Sequence, residues 1–245
     1  MNSFIPWIGG KKLLRKQILA RFPDNFDRYI EVFGGAGWVL FGKEKKKELE
    51  VYNDFDGELV NLFRCVKYHC GEVQRELREV LISRESFFDY KAQMSTRGLT
   101  DIQRAARYFY IIKISFGADR KTFGVSAKNL LDSVEYLREI QHRLAKVVIE
   151  NRDFENLIKV YDRQSALFYV DPPYCGTEKY YDNGFSVEDH QRLKNTLCDV
   201  KGKFLLSYND DVFIRELYHD FRIEEVQRAN NLSNGQYREL LIRNY

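Results

Sequence analysis

Short apolar runs recur along the chain, and most of them are followed by a segment with helical spacing. Runs of this kind that end at Gly, Pro, Asn or Asp predict buried strands. The predicted strands are residues 28–33, 49–52, 147–150, 166–170, 203–208, 221–227 and 239–245. Apolar spacing predicts a helix at 58–67, and Ser186 to Asp189 resembles the capping box of another helix. This alternation predicts a mainly parallel sheet covered by helices.

The middle of the chain, residues 71–146, interrupts this alternation because its apolar positions follow helical spacing. Its two clearest apolar stripes consist of Ile102, Ala105, Ala106 and Phe109 and of Leu130, Val134, Leu137 and Leu144. Between the stripes, turn residues and β-formers predict a hairpin or a long loop near 116–127. The expected architecture is therefore an α/β domain formed by residues 1–70 and 147–245, with a mostly helical subdomain inserted at 71–146.

Composition limits the class of protein. The chain has 245 residues, of which 44% are hydrophobic and 31% are charged. This size and balance suit one α/β domain with an insertion and exclude wholesale disorder. Since there is neither an apolar run long enough for a membrane span nor a signal-peptide pattern, we expect a cytoplasmic protein. The four cysteines lack zinc spacing, so the sequence predicts neither disulfides nor a metal site.

A glycine-rich loop follows the first predicted strand. It consists of Phe33, Gly34, Gly35, Ala36 and Gly37. Glycines let the backbone turn tightly and let a ligand approach without meeting a Cβ atom. Leu40 stands where a dinucleotide fingerprint needs a third small residue, and the sequence has no Gly-Lys-Ser/Thr phosphate loop. The loop therefore indicates either a site for a ligand without a pyrophosphate or a tight turn.

An acidic residue, Asp54, follows the second predicted strand. A carboxylate at this place accepts hydrogen bonds from ribose hydroxyls in other α/β nucleotide-binding folds. Asp54 and Asp56 also precede a predicted helix, where an aspartate side chain caps the first turn. The sequence leaves both interpretations of Asp54 open.

The most specific signal follows the predicted strand 166–170. It consists of Asp171, Pro172, Pro173 and Tyr174. Two successive prolines fix the backbone and remove two amide donors. Such a loop suits an amino group on a flat ring, because the carboxylate of Asp171 and the carbonyl of Pro172 each accept one N–H while Tyr174 stacks on the ring. A kinked loop at a strand end is the alternative for these four residues taken alone.

Several motifs, in order along nearly the whole chain, resemble the Dam-like (D12 class) family of adenine-specific DNA methyltransferases. They lie at residues 6–11, 33–37, 53–54, 171–174, 206–210 and 239–245. The resemblance implies a Rossmann-like, S-adenosylmethionine-dependent methyltransferase sheet and methyl transfer to N6 of an adenine flipped out of duplex DNA. It also implies a monomer that binds double-stranded DNA and S-adenosylmethionine, as in restriction-modification systems.

The same resemblance implies roles for individual residues. The implied cofactor-binding residues are Trp7, Lys11, Phe33, Gly34, Gly35, Ala36, Gly37, Asp54, Asp153, Phe154 and Asp171, and the implied catalytic residues are Asp171, Pro172, Pro173 and Tyr174. Trp7 and Lys11 belong to the methionine end of the cofactor and Asp54 to its ribose, while Asp153 and Phe154 lie beside its adenine. The two acceptors at 171 and 172 localise the N6 lone pair for in-line attack on the methyl group, without a metal.

The inserted block carries a local excess of basic residues. Residues 101–128 have a net charge of +4, whereas the whole chain has +3. Basic side chains contact phosphates, and a protruding hairpin reads base edges in a groove. The predicted DNA-binding residues are Arg104, Lys113, Arg120, Lys121 and Lys128. For Arg104, a solvated helix face is the alternative.

The target sequence stays open at this point. The segment 115–127 differs from the Asn-, Arg- and Pro-rich hairpin of GATC-reading members, and GATC is one candidate. Because the same pocket chemistry serves other amino groups, methylation of cytosine N4 or of RNA adenine is an alternative function. A non-catalytic DNA-binding regulator with a vestigial cofactor fold is another, although Asp171, Tyr174 and Gly37 are intact.

Overall fold

A single mixed sheet forms the centre of the molecule. The computed structural model describes residues 1–125, 129–175, 184–228 and 237–245. Its strands are β1 (Arg28–Glu31), β2 (Leu49–Asn53), β3 (Val147–Glu150), β4 (Ala166–Val170), β5 (Lys203–Asn209), β6 (Arg222–Arg228) and β7 (Tyr237–Arg243). Within the described ranges they form one seven-stranded sheet in the order β3-β2-β1-β4-β5-β7-β6, in which β1 to β5 pair in parallel and β7 lies antiparallel between β5 and β6. All the predicted strands are confirmed, with ends that differ by at most two residues.

Helices fill the connections between the strands. They are α1 (Arg15–Leu19), α2 (Trp38–Gly42), α3 (Gly57–Arg78), α4 (Arg84–Met94), α5 (Asp101–Ile114), α6 (Leu130–Glu135), α7 (Leu137–Leu144), α8 (Phe154–Tyr161), α9 (Val187–Cys198) and α10 (Val212–Leu217). Side chains cap several of them: Asp56 caps α3 and Asp153 caps α8. The predicted capping box of α9, formed by Ser186 and Asp189, is confirmed. Among the helices described, none has the length and apolarity to span a membrane.

Alternating side chains of the central strands pack into two apolar clusters, one on each face of the sheet. Leu167 and Tyr169 of β4 belong to the cluster that includes α3, whereas Phe168 and Val170 belong to the cluster that includes α8 and α9. Every residue of β4 is buried. Burial on both faces explains why this strand is a continuous apolar run in the sequence.

The helices of the middle segment cover one face of the sheet. The first of them, α3, runs across the predicted domain boundary at residue 70, with a non-helical kink at His69. Apolar residues of α3, α5 and α7 share one buried cluster with residues of the sheet. The division into 1–70 with 147–245 and an inserted 71–146 stays a prediction, and the described core continues across it.

The described residues near 116–127, predicted as a hairpin or a long loop, form a loop. A single antiparallel bridge joins Ser115 to Phe123. Between them, Ala118 and Arg120 have φ angles of 61° and 58°, in the left-handed region that strands do not use. These backbone angles make the segment a compact loop instead of a pair of strands, and we refer to residues 115–123 as the 115–123 loop. The last two residues of the predicted hairpin lie outside the described part of the chain.

Buried charges connect α7 to the sheet. Arg143 donates to both carboxylate oxygens of Glu50 at 2.6 and 2.7 Å, and to the carbonyl of Leu40 at 2.8 Å. The side chains of Arg143 and Glu50 are only 8% and 3% exposed. Lys43 also lies 3.0 Å from Glu50. Breaking such a pair is costly because it leaves an uncompensated charge in the interior.

We expect Arg143→Met to lower the free energy of unfolding by about 3 kcal/mol, since Glu50 would keep only Lys43 as an ionic partner. Combining Arg143→Met with Glu50→Gln should recover part of the loss, because the buried carboxylate is then absent. Arg75→Met is the control: it removes an exposed pair with Glu72, and should change stability by less than about 0.5 kcal/mol. Urea unfolding measures these differences, and an Arg143→Met variant as stable as the wild type would contradict the prediction.

Candidate active site

A cavity of about 470 Å³ opens at the carboxyl ends of β1, β2 and β4. This volume lies within the range of small-molecule sites. The described residues that line it include 7–11, 33–36, 53–56 and 171–174. The fold thus brings together in one cavity segments that are far apart in the sequence and that were each singled out for their chemistry.

The glycine loop turns tightly after β1. A Cβ atom on Gly34 would lie 2.2 Å from the ring of Tyr52. Gly35 has a φ angle of +49°, and a Cβ atom there would lie 3.0 Å from the ring of Trp7. Gly37 precedes α2 with a φ angle of 67° and is not among the described residues that line the cavity. The loop is therefore a tight turn and, through residues 33–36, also a wall of the cavity.

The two aspartates after β2 have separate tasks. Asp56 accepts hydrogen bonds from the amides of Glu58 and Leu59, so the capping interpretation holds for Asp56 and is wrong for Asp54. Asp54 lines the cavity, where its Oδ2 accepts from the Gly35 amide at 2.8 Å and its Oδ1 from the Asp56 amide at 2.9 Å. Burial disfavours the charged carboxylate and raises the pKa of Asp54 to about 6. At neutral pH this side chain is an ionised acceptor.

An aromatic cluster lines another part of the cavity. The ring centroids of Phe33, Phe154 and Phe185 lie 5.6 to 5.8 Å apart. Arg192 lies over Phe154, with its Cζ 4.1 Å from the ring centroid, and donates to the two oxygens of Asp153 at 3.0 and 2.9 Å. Such a surface suits a flat heteroaromatic ring. Phe185 and Arg192 were not predicted, because no local motif marks them and only the packing of α9 against α8 brings Arg192 here.

A buried ion pair joins the first segment of the cavity to the Asp-Pro-Pro-Tyr loop. The Nζ of Lys11, a side chain that is 4% exposed, lies 2.7 Å from Oδ1 of Asp171 and 4.7 Å from the centroid of the Tyr174 ring. Ser207 Oγ donates to the same oxygen of Asp171 at 2.8 Å. Burial raises the pKa of Asp171, and the charge of Lys11 and the Ser207 hydrogen bond oppose this rise. Lys11 and Ser207 therefore favour the ionised carboxylate and fix its position.

The ring of Tyr174 is held by a second buried acid. Its hydroxyl donates to Oε2 of Glu239, a residue of β7 that is 3% exposed, at 2.9 Å. The ring of Tyr208 lies 5.9 Å away. Burial raises the pKa of Tyr174 well above its ordinary value, so the phenol is a neutral donor. Ser207 and Glu239 belong to motifs of the family resemblance, but nothing in the sequence singled out either residue.

The predicted DNA-binding residues lie in different surroundings. Arg104, whose side chain is 37% exposed, pairs with Glu58 of α3. Lys113 is partly buried near the end of α5, and Lys121 is exposed in the 115–123 loop. Lys128 lies outside the described residues. DNA binding by these residues stays a prediction.

Arg120 differs most from its predicted surroundings. It was expected at the tip of a hairpin, pointing to DNA, but its side chain lines the cavity. Its Nη1 donates to the hydroxyl of Tyr108 at 2.7 Å and to Oδ2 of Asp56 at 3.2 Å. The left-handed backbone at this residue and the attraction of the Asp56 carboxylate explain the inward direction.

The residues of the cavity fit S-adenosylmethionine. Asp54 offers acceptors to ribose hydroxyls, and the aromatic cluster offers a flat surface to adenine. The ring of Tyr174 and the carboxylate of Asp171 suit a sulfonium cation. At Gly34 and Gly35 the backbone itself forms the wall, where any Cβ atom would meet a neighbouring ring.

Comparisons with known proteins identify the family of this chain. Residues 7–232 match the profile of D12 class N6 adenine-specific DNA methyltransferase. The chain is 28% identical to the "Type II methyltransferase M1.LlaDCHI" of Lactococcus lactis subsp. cremoris, an alignment that covers 100% of this chain and 96% of the relative. It is 27% identical to the "Type II methyltransferase M.MjaIII" of Methanocaldococcus jannaschii, over 100% and 99% of the two chains.

A solved structure, the rRNA methyltransferase aviRa of Streptomyces viridochromogenes, covers 93% of this chain and 81% of its own, with a TM-score of 0.39 and 12% identity. The strand order of the sheet and the family together confirm the predicted Rossmann-like methyltransferase fold. Since the family profile extends over nearly the whole chain, the protein belongs to the D12 class N6 adenine-specific DNA methyltransferases and is a site-specific adenine DNA methyltransferase.

Proposed function

We propose that the protein transfers the methyl group of S-adenosylmethionine to N6 of an adenine flipped out of duplex DNA, with Asp171 at the reacting centre. One observation carries the proposal: Asp171, Pro172 and Tyr174 line the same cavity as the glycine loop and Asp54. An acceptor for an amino group and a site for a nucleoside cofactor therefore adjoin each other. The names of the relatives support a role in restriction-modification. Within the proposal, the protein acts on DNA in the cytoplasm.

The cofactor's place follows from the chemistry of the lining. When bound, S-adenosylmethionine supplies an electrophilic methyl group on a sulfonium sulfur. Asp54 accepts hydrogen bonds from the ribose, and Phe154 with its neighbours provides the surface for the adenine, beside Asp153. Trp7 lies against Gly35 and closes the cavity near the glycine loop. Lys11 contacts the catalytic carboxylate as well as the Tyr174 ring, so its task includes orienting Asp171.

Asp171 and the carbonyl of Pro172 act on the amino group of the target base. The N6 lone pair is delocalised into the purine ring and is a poor nucleophile. Two fixed acceptors, one for each N–H, localise this lone pair and direct it at the methyl group, so that positioning and electrostatics lower the barrier. Lys11 and Ser207 hold Asp171 for this task. Asp171, already hydrogen-bonded to the amino group, accepts the proton released after transfer.

Tyr174 supports the extruded base. The amino group of a paired adenine cannot reach a cavity of this kind, so the base has to leave the helix at a cost of a few kcal/mol. Stacking on an aromatic ring offsets part of this cost. Glu239 fixes the hydroxyl of Tyr174, which leaves the ring in one orientation. The 115–123 loop and its flanking helices carry the basic groups for the DNA backbone, with Lys121 exposed.

The identity of the methylated nucleoside tests the proposed function. Incubation with labelled S-adenosylmethionine and either duplex DNA or RNA should yield N6-methyladenine in duplex DNA, because the acceptor pair suits an exocyclic amino group and the family is specific for adenine in DNA. Nucleoside analysis by mass spectrometry measures the product. Label in N4-methylcytosine, or in RNA adenine alone, would overturn the proposal, and so would the absence of label in every substrate.

Asp171→Asn should lower the rate of methyl transfer at least about 100-fold, because the neutral amide is a weaker acceptor and leaves Lys11 unpaired. The Kd for the unreactive analogue sinefungin should rise less than about tenfold, since the ribose and adenine contacts persist. Single-turnover kinetics and calorimetry measure the two quantities. Asp199→Asn, at an exposed position after α9, is the matched control and should behave as wild type. Turnover of Asp171→Asn at the wild-type rate would refute the assignment.

Cofactor binding should weaken as the pH falls through about 6. The pKa of Asp54 is about 6, and the ribose hydroxyls favour its ionised form, so protonation opposes binding. We expect the Kd for sinefungin to rise by as much as about tenfold per pH unit below that point. Calorimetry between pH 5 and 7.5 measures the profile. The variant Asp54→Asn should bind sinefungin more weakly at pH 7, and its Kd should no longer rise as the pH falls through about 6. A rise of unchanged size in this variant would rule out Asp54 as the titrating group.

A further inference from the structure

Arg120 belongs to the middle segment but lies at the cofactor cavity. Its guanidinium donates to the Tyr108 hydroxyl at 2.7 Å and to Oδ2 of Asp56 at 3.2 Å. Its Cζ lies 5.1 Å from the centroid of the Trp7 ring, at the distance of a cation–π contact. Its side chain is 22% exposed. One side chain of the 115–123 loop thus contacts residues of the N-terminal segment, of the β2–α3 connection and of α5.

The 115–123 loop has a backbone that turns Arg120 inward. The φ angle of Arg120 is 58°, a conformation unfavourable for a residue with a side chain unless its surroundings hold it. The side chain of Asp119 accepts from the amides of Lys121 at 2.8 Å and Thr122 at 2.9 Å. Lys91 of α4 donates to the carbonyl of Lys121 at 3.1 Å. These contacts fix the loop with Arg120 at the cavity and the neighbouring Lys121 exposed.

Asp56 connects Arg120 to the proposed ribose acceptor. Its Oδ1 caps α3, while its Oδ2 accepts from Tyr108 at 2.7 Å and from Arg120. The backbone amide of Asp56 donates to Oδ1 of Asp54 at 2.9 Å. The charge of Arg120 balances that of Asp56, which is the nearest acidic neighbour of Asp54 along the chain. A substitution of Arg120 therefore affects Asp54 through one intervening residue, Asp56.

We propose that Arg120 is a positioning residue for S-adenosylmethionine, which it serves by holding Trp7 and Asp56 in place at the cavity. This inference rests on the proposed function, in which the same cavity binds the cofactor. It assigns Arg120 to the cofactor side of the reaction and leaves contact with DNA phosphates to its exposed neighbour Lys121. Because Arg120 is part of the 115–123 loop, an ordered loop raises the affinity for the cofactor. By reciprocity, bound cofactor stabilises the ordered loop.

The test compares two adjacent residues in the absence of DNA. We expect Arg120→Ala to raise the Kd for sinefungin about tenfold, because charge-assisted hydrogen bonds and a ring contact are lost together. Arg120→Lys should lie between Arg120→Ala and wild type, since an ammonium keeps the charge without the planar contact. Lys121→Ala is the matched control and should bind sinefungin as wild type does, while losing affinity for duplex DNA.

Steady-state kinetics separate positioning from a general structural role. In Arg120→Ala, the KM for S-adenosylmethionine should rise about tenfold, with kcat at saturation within about twofold of wild type. In an Asp56→Asn background the helix cap persists. There Arg120→Ala should raise the KM for S-adenosylmethionine by a smaller factor, because the carboxylate charge that Arg120 balances is absent. Thermal unfolding of each variant should stay close to that of its parent.

Three results would overturn the inference. One is wild-type affinity for sinefungin in Arg120→Ala together with weaker, less salt-dependent DNA binding, which would make Arg120 a phosphate contact. Another is an equal loss of kcat and cofactor affinity with a lowered unfolding temperature in both Arg120→Ala and Arg120→Lys. The third is an undiminished effect in the Asp56→Asn background. Failure of the wild-type protein itself to bind sinefungin would instead refute the proposed function.

Discussion

The ion pair between Lys11 and Asp171 is the interaction on which the site depends. A carboxylate at the end of β4 has to remain an acceptor although it is largely buried, and burial by itself favours its neutral form. Lys11 supplies the opposing charge at 2.7 Å, from a segment that begins the chain. The pair therefore opposes the rise in the pKa of Asp171 that burial causes, and it also holds the N-terminal segment against the carboxyl edge of the sheet.

The order of the strands explains why Ser207 and Glu239, which contact Asp171 and Tyr174, lie at the same edge of the sheet. Ser207 lies near the carboxyl end of β5, which pairs with β4. Since β7 runs antiparallel to β5, its residue Glu239 pairs with Asn209 and lies at the same edge of the sheet. The beginning of an antiparallel strand thus lies at the edge of the sheet where the parallel strands end. Glu239 and Ser207 can then fix Tyr174 and Asp171 from neighbouring strands.

Local patterns predicted the strands of the sheet and some of its helices, and the family resemblance added several residues of the cavity. The strands follow from apolar runs, the capping box from spacing at Ser186, and the segment 171–174 from residues that are adjacent in the chain. The contacts between these parts could not be predicted in this way. Arg143 and Glu50 are 93 positions apart, and the direction of Arg120 depends on a left-handed backbone angle that an arginine rarely adopts. The local basic charge and a presumed hairpin tip therefore assigned Arg120 to DNA.

A crystal structure of the protein with sinefungin and a duplex that contains its target adenine tests the role of Asp171 most directly. We expect an adenine outside the helix, stacked on Tyr174, with N6 within hydrogen-bond distance of both Asp171 and the Pro172 carbonyl. Sinefungin should lie along the glycine loop, with its ribose at Asp54 and its amine toward N6. A base extruded into another pocket, or an N6 atom held away from Asp171, would contradict the central claim.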